Sequence, residues 1–257
     1  MSMSTSQPSA IILAAGKGTR MKSDLPKVVH PIGGRPMVCA VVDACRAAGC
    51  GRIVAVVGYK QELVREALAG YGEIEFAVQE EQLGTGHAVM MAEPLFRGNR
   101  GDVFVLAGDG PLIREATLRK VLETHRAAGA ACTLATSVID DPSGYGRIVR
   151  DARGRFVAIV EQKNATPEQL KVREVNPSYY CFDGAELFES LKRVGRNPVS
   201  NEYYITDVPE LLLKAGRRVE VIPAVPPEDV LSINTLEELA KVDAIFRSRG
   251  GSAGRVA

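Results

Sequence analysis

Residues Ala10–Lys27 read AIILAAGKGTRMKSDLPK, and they carry more information about the fold than any other stretch of the chain. An unbroken apolar run is typical of a strand that helices cover on both faces of a parallel sheet. The small residues after the run let a flat base or a phosphate approach the main chain. Lys17, Arg20, Lys22 and Lys27 then place four cations in one loop. The stretch therefore predicts a strand that leads into a binding loop for a nucleoside triphosphate.

The glycine spacing separates this loop from two well-known phosphate loops. Gly16 and Gly18 match two glycines of the dinucleotide-binding fingerprint, but Met21 stands in the third place, which disfavours a Rossmann oxidoreductase. The Gly-Lys-Ser/Thr ending of a P-loop is absent at the required spacing. Taken alone, the two glycines fit a tight turn equally well. Arg20 and Lys27 favour a ligand loop, because they follow the carboxyl end of a strand, where open α/β sheets bind ligands.

Composition and charge exclude several classes of protein. The 257 residues are 46% hydrophobic, which is enough for one sizeable core. Lys and Arg number 32 against 31 Asp and Glu, so no overall basic field indicates nucleic acid, and no apolar run reaches the roughly 18 residues of a membrane helix. The five cysteines lie mostly in apolar surroundings, which predicts buried thiols in a reducing cytoplasm. Residues 1–9 lack the regions of a signal peptide and are expected to form a disordered leader.

The fold class follows from an alternation of strand and helix patterns between residues 10 and 140. The strands are continuous apolar runs, so we predict a Rossmann-like α/β fold with a mixed, mainly parallel sheet and helices on both faces. The predicted strands are Ala10–Ala15, Arg52–Val57, Ile74–Val78, Val103–Ala107 and Ala131–Val138. The predicted helices are Pro36–Ala48, Gln61–Ala69, Gly86–Ala92 and Arg114–Ala128.

The pattern changes after residue 140, and residues 141–228 are predicted to form a second half of the same domain. Gly146–Arg150 and Phe156–Gln162 have the pattern of a β-hairpin, and the polar segment Lys163–Glu174 is expected to cross the surface. The remaining predicted elements are the strands Ser178–Phe182 and Arg218–Ile222, the helices Ala185–Arg193 and Asp207–Ala215, and a C-terminal helix, Thr235–Arg249, capped by Asn234 or Thr235. Residues 250–257 are expected to be a flexible tail.

A second polar motif, Gln79–Ala88, also follows a predicted strand. The amide of Gln79 is able to pair with the edge of a pyrimidine, and Gly84, Thr85 and Gly86 would permit close approach of the backbone to a ligand. A glycine loop before a helix is the alternative. His87 is interpreted as a residue of the first helical turn rather than a general base.

An aspartate stands at the end of the buried strand Val103–Ala107. Asp109 lies between two glycines, where a carboxylate is poorly explained by packing, although Asp is also a common turn former. A hard divalent cation binds such an oxygen and bridges to phosphates, which indicates Mg²⁺. Later motifs are ambiguous: Glu161 could accept hydrogen bonds from sugar hydroxyls, whereas Asn234 could be only a helix cap and the pair Tyr203-Tyr204 only core.

Together these motifs resemble the sugar-1-phosphate nucleotidyltransferases, and most of all the bacterial uridyltransferase domains that act on N-acetylglucosamine-1-phosphate. The resemblance spans about residues 10–249. LAAGKGTRM and LPK are shared by the wider superfamily. The motifs more specific to this branch are QLGTGHA, YGRI, VEQK and EYYITD, which begin at Gln82, Tyr145, Val160 and Glu202.

The resemblance implies a role for each matching position. Catalytic roles fall to Arg20, Lys27 and Asp109, and Mg²⁺ would be bound by Asp109 and Asn234. The nucleotide would contact Leu13, Ala14, Ala15, Gly16, Gln79, Gly84, Thr85 and Gly108. The amino sugar and its acetyl group would be surrounded by Gly146, Glu161, Asn176, Tyr204 and Thr206. The implied reaction converts UTP and N-acetylglucosamine-1-phosphate into UDP-N-acetylglucosamine and pyrophosphate, a step of cell-wall precursor synthesis.

Two departures from the family pattern limit these expectations. Pro177 follows Asn176 where the family has a small residue and then glycine, so it is expected to stiffen the loop that reads the sugar. This keeps open a related transferase with another sugar or base. The β-helical acetyltransferase domain of many members is expected to be absent, which in turn favours a monomer or weak oligomer. A catalytically silent nucleotide-sugar sensor is a further alternative, disfavoured because Arg20, Lys27 and Asp109 are all present.

Overall fold

The computed structural model describes residues 6–18, 21, 23–98, 101–231, 233 and 235–250, and it is built on one nine-stranded sheet with a separate two-stranded ribbon. The strands are β1 (Ser9–Ala14), β2 (Pro31–Ile32), β3 (Arg35–Pro36), β4 (Arg52–Val57), β5 (Glu75–Val78), β6 (Asp102–Ala107), β7 (Cys132–Val138), β8 (Gly146–Arg150), β9 (Phe156–Val160), β10 (Glu174–Asp183) and β11 (Val219–Ile222). The helices are α1 (Met37–Ala47), α2 (Gln61–Leu68), α3 (Thr85–Ala92), α4 (Glu115–Ala128), α5 (Pro167–Leu170), α6 (Gly184–Leu191), α7 (Val208–Lys214) and α8 (Leu236–Ser248).

Helices cover both faces of the large sheet, as predicted. Along β1, Ala10 and Ile12 point into one hydrophobic layer and Ile11 points into the other, because successive side chains of a strand alternate between faces. The first layer packs against α1, α2 and α4. The second packs against α3, α6 and α7. Burial on both faces is the reason that the strands are apolar without alternation.

The sheet has the strand order β11-β7-β10-β6-β1-β4-β5. Strands β6, β1, β4 and β5 are parallel, and β7 is parallel to β11, whereas β10 lies antiparallel between β6 and β7. The carboxyl ends of β1, β5 and β6 therefore meet at one edge of the sheet. The predicted hairpin is confirmed, since β8 and β9 pair antiparallel, and β8 joins the sheet through β10.

Strand β10 differs most from the prediction, since it begins at Glu174 rather than at Ser178. Between Val175 and Tyr179 it advances by four residues while β7 advances by two, which is a β-bulge. Pro177 lies in this bulge, where a residue without an N–H is tolerated inside a sheet. The expected sugar-reading loop at Asn176 and Pro177 is thus a bulged segment of an interior strand, a correction to the sequence-based description.

The remaining differences lie at the ends of elements and in short segments. Ser9, assigned to the leader, already belongs to β1, and the ribbon of β2 with β3 was not predicted. The surface segment after the hairpin contains the one-turn helix α5. Thr235 is the N-cap of α8, where it forms a capping box with Glu238. Among the described residues, no helix has the length and apolar character needed to span a bilayer.

Candidate active site

Two adjoining cavities open at the edge where the parallel strands end. The larger has a volume of about 360 Å³ and the smaller about 190 Å³. Both are lined by Lys27, Ala107, Asp109 and Ser178, so they form one cleft with two compartments. Predicted residues that line the larger compartment are Leu13, Ala15, Gly16, Lys27, Gln79, Gly84, Thr85, Asp109, Glu161 and Thr206, and Asn176 lines the smaller one.

Lys27 and Asp109 form an ion pair at the junction of the two compartments. Lys27 Nζ lies 2.5 Å from Asp109 Oδ2, and the two side chains are 14% and 34% exposed. Asp109 follows β6 with only Gly108 between them, and Lys27 begins a short 3₁₀ turn after Pro26. Gly18 supports this arrangement, because its φ is +66° and a Cβ there would lie 2.7 Å from Lys27 Cβ. The strand end and the loop therefore place one cation and one carboxylate side by side on the cleft.

Gly84 and Gly86, the glycines of the second motif, pack closely against the backbone of another segment of the protein. Gly84 has a φ of +100°, and a Cβ there would lie 2.5 Å from the Tyr203 carbonyl oxygen. Gly86 donates a backbone hydrogen bond of 2.8 Å to the same carbonyl. Tyr203 therefore accounts for the need for glycine at both positions, while the expectation that Gly84 lies close to a ligand stays a prediction, supported by its place in the cavity lining. Gly16 does fit that expectation, because it lines the cavity and no described residue lies within 4 Å of the point that a Cβ there would occupy.

The amide of Gln79 is held in one orientation inside the larger compartment. Gln79 is 3% exposed, and its Nε2 donates to the Gly84 carbonyl at 3.0 Å. The second neighbour of Nε2 is His87 Nδ1, also at 3.0 Å. His87 lies in the first turn of α3, as expected. No described residue donates a hydrogen bond to Gln79 Oε1, so the amide presents its oxygen to the cavity.

Glu161 and Thr206 form the wall at the other end of the larger compartment. Thr206 donates from Oγ1 to Glu161 Oε1 at 3.0 Å. Burial raises the pKa of Glu161, and the hydrogen bond from Thr206 opposes that rise. The pKa of the neighbouring Asp207 is likewise raised by burial. This wall offers a carboxylate acceptor in a poorly solvated position, which suits hydroxyl donors of a ligand.

The bulge of β10 forms the floor of the smaller compartment. Asn176 Nδ2 donates to the Tyr180 hydroxyl at 2.5 Å, and Asn176 Oδ1 accepts from the Ser178 backbone at 3.2 Å. Ser178 has a φ of +65° and lines both compartments. Half of the hydrogen-bonding capacity of the Asn176 amide is therefore used to shape the bulge, and one N–H remains.

Several predicted residues do not line either cavity. Ala14 lies in the core, and Gly108 is needed because a Cβ there would lie 2.7 Å from the Leu13 carbonyl oxygen. Tyr204 donates its hydroxyl to Ser200 Oγ at 2.5 Å. Gly146 lies beside Glu161, since a Cβ there would lie 3.6 Å from Glu161 Oε1. Arg20 and Asn234 lie outside the described residues.

Sequence reasoning missed some residues of the cleft. Ser178 and Glu202 line it but stand in a bulge and an irregular segment, where no periodic pattern marks them. Gly58 lines neither cavity but packs against two residues that line the larger one, and it was missed as well: a Cβ there would lie 2.7 Å from the Gln79 carbonyl oxygen and 3.0 Å from that of Ala15. A glycine at the end of a buried strand was the available signal for Gly58.

Comparison with known proteins identifies the family of this chain. The family described as MobA-like NTP transferase domain matches residues 10–194. A protein called bifunctional protein GlmU from Geobacter metallireducens is 48% identical over 93% of this chain and 50% of its own length. The corresponding protein of Pelotomaculum thermopropionicum is 47% identical over 93% of this chain and 52% of its own. The chain spans about half the length of these curated relatives.

A solved structure of UDP-glucose pyrophosphorylase complexed with UDP-glucose has a similar fold. Its TM-score is 0.74, and the match covers 95% of this chain and 100% of that one at 18% identity. An identity this low shows the shared fold alone, which is the mixed, mostly parallel sheet predicted from the sequence. The family match covers well over half of the chain and includes the strand ends that carry Gln79 and Asp109. The chain therefore belongs to the MobA-like NTP transferase family.

Proposed function

We propose that this chain transfers a uridylyl group from UTP to N-acetylglucosamine-1-phosphate, with release of pyrophosphate. The observation that carries the proposal is the two-compartment cleft with Lys27 and Asp109 at its junction. One compartment ends at the buried amide of Gln79 and the other contains polar groups suited to a sugar phosphate. A transfer between two bound anions requires this layout, with charge compensation where the anions meet.

The part of the larger compartment near Gln79 and Gly16 would hold the uridine. Gln79 Oε1 is an acceptor that faces the cavity, and the N3–H of uracil is a matching donor. Gly16 leaves open space, as far as the described residues extend, for a base or ribose to lie on the main chain. The Gln79 acceptor supports a uracil nucleotide over a cytosine nucleotide, whose ring N3 is an acceptor, whereas the space at Gly16 favours neither base.

The phosphates would lie between the glycine loop and the junction. Lys27 would contact the transferring phosphate, and Arg20, whose position lies outside the described residues, would contact the triphosphate. The described donor set fits Mg²⁺, a cation that takes one or two protein oxygens and completes its shell with waters and phosphates. Asp109 supplies a partly exposed carboxylate, whereas Asp229 on the same cleft is committed to Arg114 and Arg249. Asn234 would be the second ligand.

The reaction needs no general base from the protein. An oxygen of the sugar phosphate, already anionic, would attack the α-phosphorus of UTP. The bond from the α-phosphorus to the bridging oxygen would break, and pyrophosphate would leave with that electron pair. A bound Mg²⁺ would neutralise charge on the phosphates. Lys27 and Arg20 would hold the two anions together, which contributes most of the catalysis in transfers of this kind.

The sugar would lie against Glu161, Thr206 and the bulge at Asn176. Glu161 is placed to accept hydrogen bonds from ring hydroxyls, and the amide of Asn176 retains one N–H beyond its bond to Tyr180. The similarity of the sequence motifs to uridyltransferases for N-acetylglucosamine-1-phosphate supports the acetamido sugar.

We further propose that residues 10–140 bind the nucleotide and 141–228 the sugar, and that the protein acts as a cytoplasmic monomer or weak oligomer.

A matrix of nucleoside triphosphates and sugar-1-phosphates tests the proposal. Pyrophosphate release is measured for UTP, CTP, TTP and GTP against the 1-phosphates of N-acetylglucosamine, glucosamine and glucose. We expect the highest kcat/KM for UTP with N-acetylglucosamine-1-phosphate. A preference for another pair would assign the chain to a different substrate in the same family. Binding of nucleotide sugars without any turnover would contradict the enzymatic role and favour a sensor.

A further inference from the structure

The contact between His87 and Gln79 has a consequence for base selection. His87 Nδ1 lies 3.0 Å from Gln79 Nε2, and the imidazole stacks on Tyr203 with ring centroids 6.3 Å apart. The ring is thus held from one side while one nitrogen faces the amide that reads the base. His87 itself does not line the cavity.

The hydrogen-bond donors and acceptors around Gln79 leave one consistent arrangement. The Gly84 carbonyl can only accept, so the amide atom that faces it at 3.0 Å is the NH₂ group. The second N–H of that group points to His87 Nδ1, which must then offer a lone pair. The imidazole is therefore neutral, with its proton on Nε2.

We propose that His87 is a positioning residue that locks the Gln79 amide and thereby strengthens the preference for uracil over cytosine. In the locked state Oε1 faces the cavity and accepts from the N3–H of uracil. Cytosine would require the flipped amide, which places Oε1 against two acceptors, the Gly84 carbonyl and His87 Nδ1. Both acceptors raise the free energy of the flipped amide. His87 is one of the two, so it contributes roughly half of the preference for UTP over CTP. This inference rests on the proposed uridylyl transfer.

Two substitutions separate the acceptor from the ring. His87→Phe keeps a ring against Tyr203 but removes the acceptor. His87→Asn removes the distal half of the ring and keeps an acceptor oxygen near the position of Nδ1. His87→Leu replaces His87→Phe in the comparison if the latter does not fold. All variants are first checked by thermal melting and circular dichroism.

The decisive measurement is the ratio of kcat/KM for UTP to kcat/KM for CTP with one sugar phosphate. We expect the ratio to fall about five- to tenfold in His87→Phe, which corresponds to the net contribution of one neutral hydrogen bond. In His87→Asn the ratio should stay near the wild-type value. An unchanged ratio in His87→Phe, or an equal fall in His87→Asn, overturns the proposal. A wild-type enzyme without a preference for UTP overturns the uridine assignment as well, which distinguishes the two failures.

A second readout does not depend on activity. Nitrogen chemical shifts of the His87 ring, recorded on the folded protein, report which nitrogen carries the proton. We expect the neutral tautomer with the proton on Nε2. A proton on Nδ1 would place two donors face to face at 3.0 Å and would overturn the proposal.

Discussion

The amine of Lys27 and the carboxylate of Asp109 lie 2.5 Å apart where the larger and the smaller compartment of the described cleft adjoin. Lys27 comes from the loop after β1, and Asp109 comes from the end of β6. Because β1 and β6 are parallel neighbours, their carboxyl ends lie together and bring these distant residues into contact. The electrostatics of the transfer step are thus set by strand topology.

Replacement of Asp109 by Asn tests the metal site. The change removes one negative charge and leaves the size of the side chain almost unaltered. We expect turnover to fall at least about a hundredfold, because loss of one strong electrostatic contact to the transferring phosphates costs on the order of 3 kcal/mol. The melting temperature should change little, since Asp109 is partly exposed.

The measurement is kcat against magnesium concentration for the wild type and Asp109→Asn. Glu62→Gln is the control, because Glu62 is an exposed carboxylate on α2 that lines neither cavity. It should behave as wild type. Near-normal turnover of Asp109→Asn at low magnesium would rule out Asp109 as a metal ligand.

Two glycine substitutions separate packing from ligand contact. Gly84→Ala forces a side chain into a φ of +100° and 2.5 Å from the Tyr203 carbonyl oxygen. We expect a fall in melting temperature of about 2–8 °C, because such backbone strain costs about 1–2 kcal/mol before any clash is relieved. Gly16→Ala adds a methyl group that meets no described residue within 4 Å and should leave the melting temperature unchanged.

Gly16→Ala should leave the melting temperature unchanged but should weaken nucleotide binding. Its added methyl group projects into the cavity, so we expect the dissociation constant for UTP, measured by calorimetry, to rise at least about tenfold. Full affinity in Gly16→Ala would mean that the nucleotide does not lie on this loop. An unchanged melting temperature in Gly84→Ala would mean that the segment at Tyr203 moves freely.

The sequence predicted the parallel half of the fold well for a physical reason. Strands buried on both faces are runs of apolar residues bounded by turns, and Arg52–Val57 was predicted with both of its ends correct. Gln79 and Asp109 were each predicted to follow a strand, and the carboxyl ends of parallel strands share an edge of the sheet. The residues that line the cleft agree with that expectation.

The features of the fold and the site that were not predicted depend on contacts between segments that are distant in sequence. No local pattern shows that β10 enters the sheet antiparallel between β6 and β7, or that its bulge accommodates Pro177. For the same reason Ser178 and Glu202 were missed. The need for glycine at Gly84 comes from the Tyr203 backbone, more than a hundred residues later in the chain, and could not be read from either motif alone.

A buried carboxylate ties the C-terminal helix to the cleft. The side chain of Asp229 is 1% exposed and accepts from Arg114 Nε at 2.5 Å and from Arg249 Nη1 at 2.6 Å. The hydrogen bond to Asp229 is the main reason that the pKa of Arg114 is raised. Asp229→Asn leaves two guanidinium groups facing one neutral amide. We expect the melting temperature to fall by about 3–10 °C, the range for breaking a partly solvated buried pair.

The neighbouring glutamate supplies a matched control. Glu228 is 53% exposed and contacts the same Arg114 at 3.0 Å. Exposed ion pairs contribute little, so Glu228→Gln should shift the melting temperature by no more than about 1–2 °C. Equal effects of the two substitutions, measured by scanning calorimetry, would show that Asp229 has no special structural role.

We expect the ionised carboxyl of Glu161 to lower the stability of the fold and to contribute to sugar binding. Burial raises the pKa of its carboxyl in the folded protein above that in the unfolded chain. Between the two pKa values the folded state binds more protons, so stability falls as pH rises through this window and the penalty is fully present at neutral pH. Glu161→Gln cannot ionise and keeps an oxygen for the Thr206 hydroxyl. Its melting temperature at pH 7 should therefore exceed that of the wild type by about 1–4 °C.

The same substitution should weaken the sugar site and spare the nucleotide site. A neutral amide is a poorer acceptor for sugar hydroxyls than a carboxylate, so KM for N-acetylglucosamine-1-phosphate should rise about ten- to a hundredfold while KM for UTP stays constant. In the wild type, KM for the sugar phosphate should rise as pH falls through the raised pKa of Glu161, and this dependence should vanish in Glu161→Gln.

Below the carboxyl pKa of the unfolded chain the wild type and Glu161→Gln should have the same melting temperature, because Glu161 is then protonated in both the folded and the unfolded state. A variant that melts lower than the wild type at pH 7, or that loses UTP binding in parallel with sugar binding, would show that Glu161 is a structural member of the wall rather than the acceptor that holds the sugar.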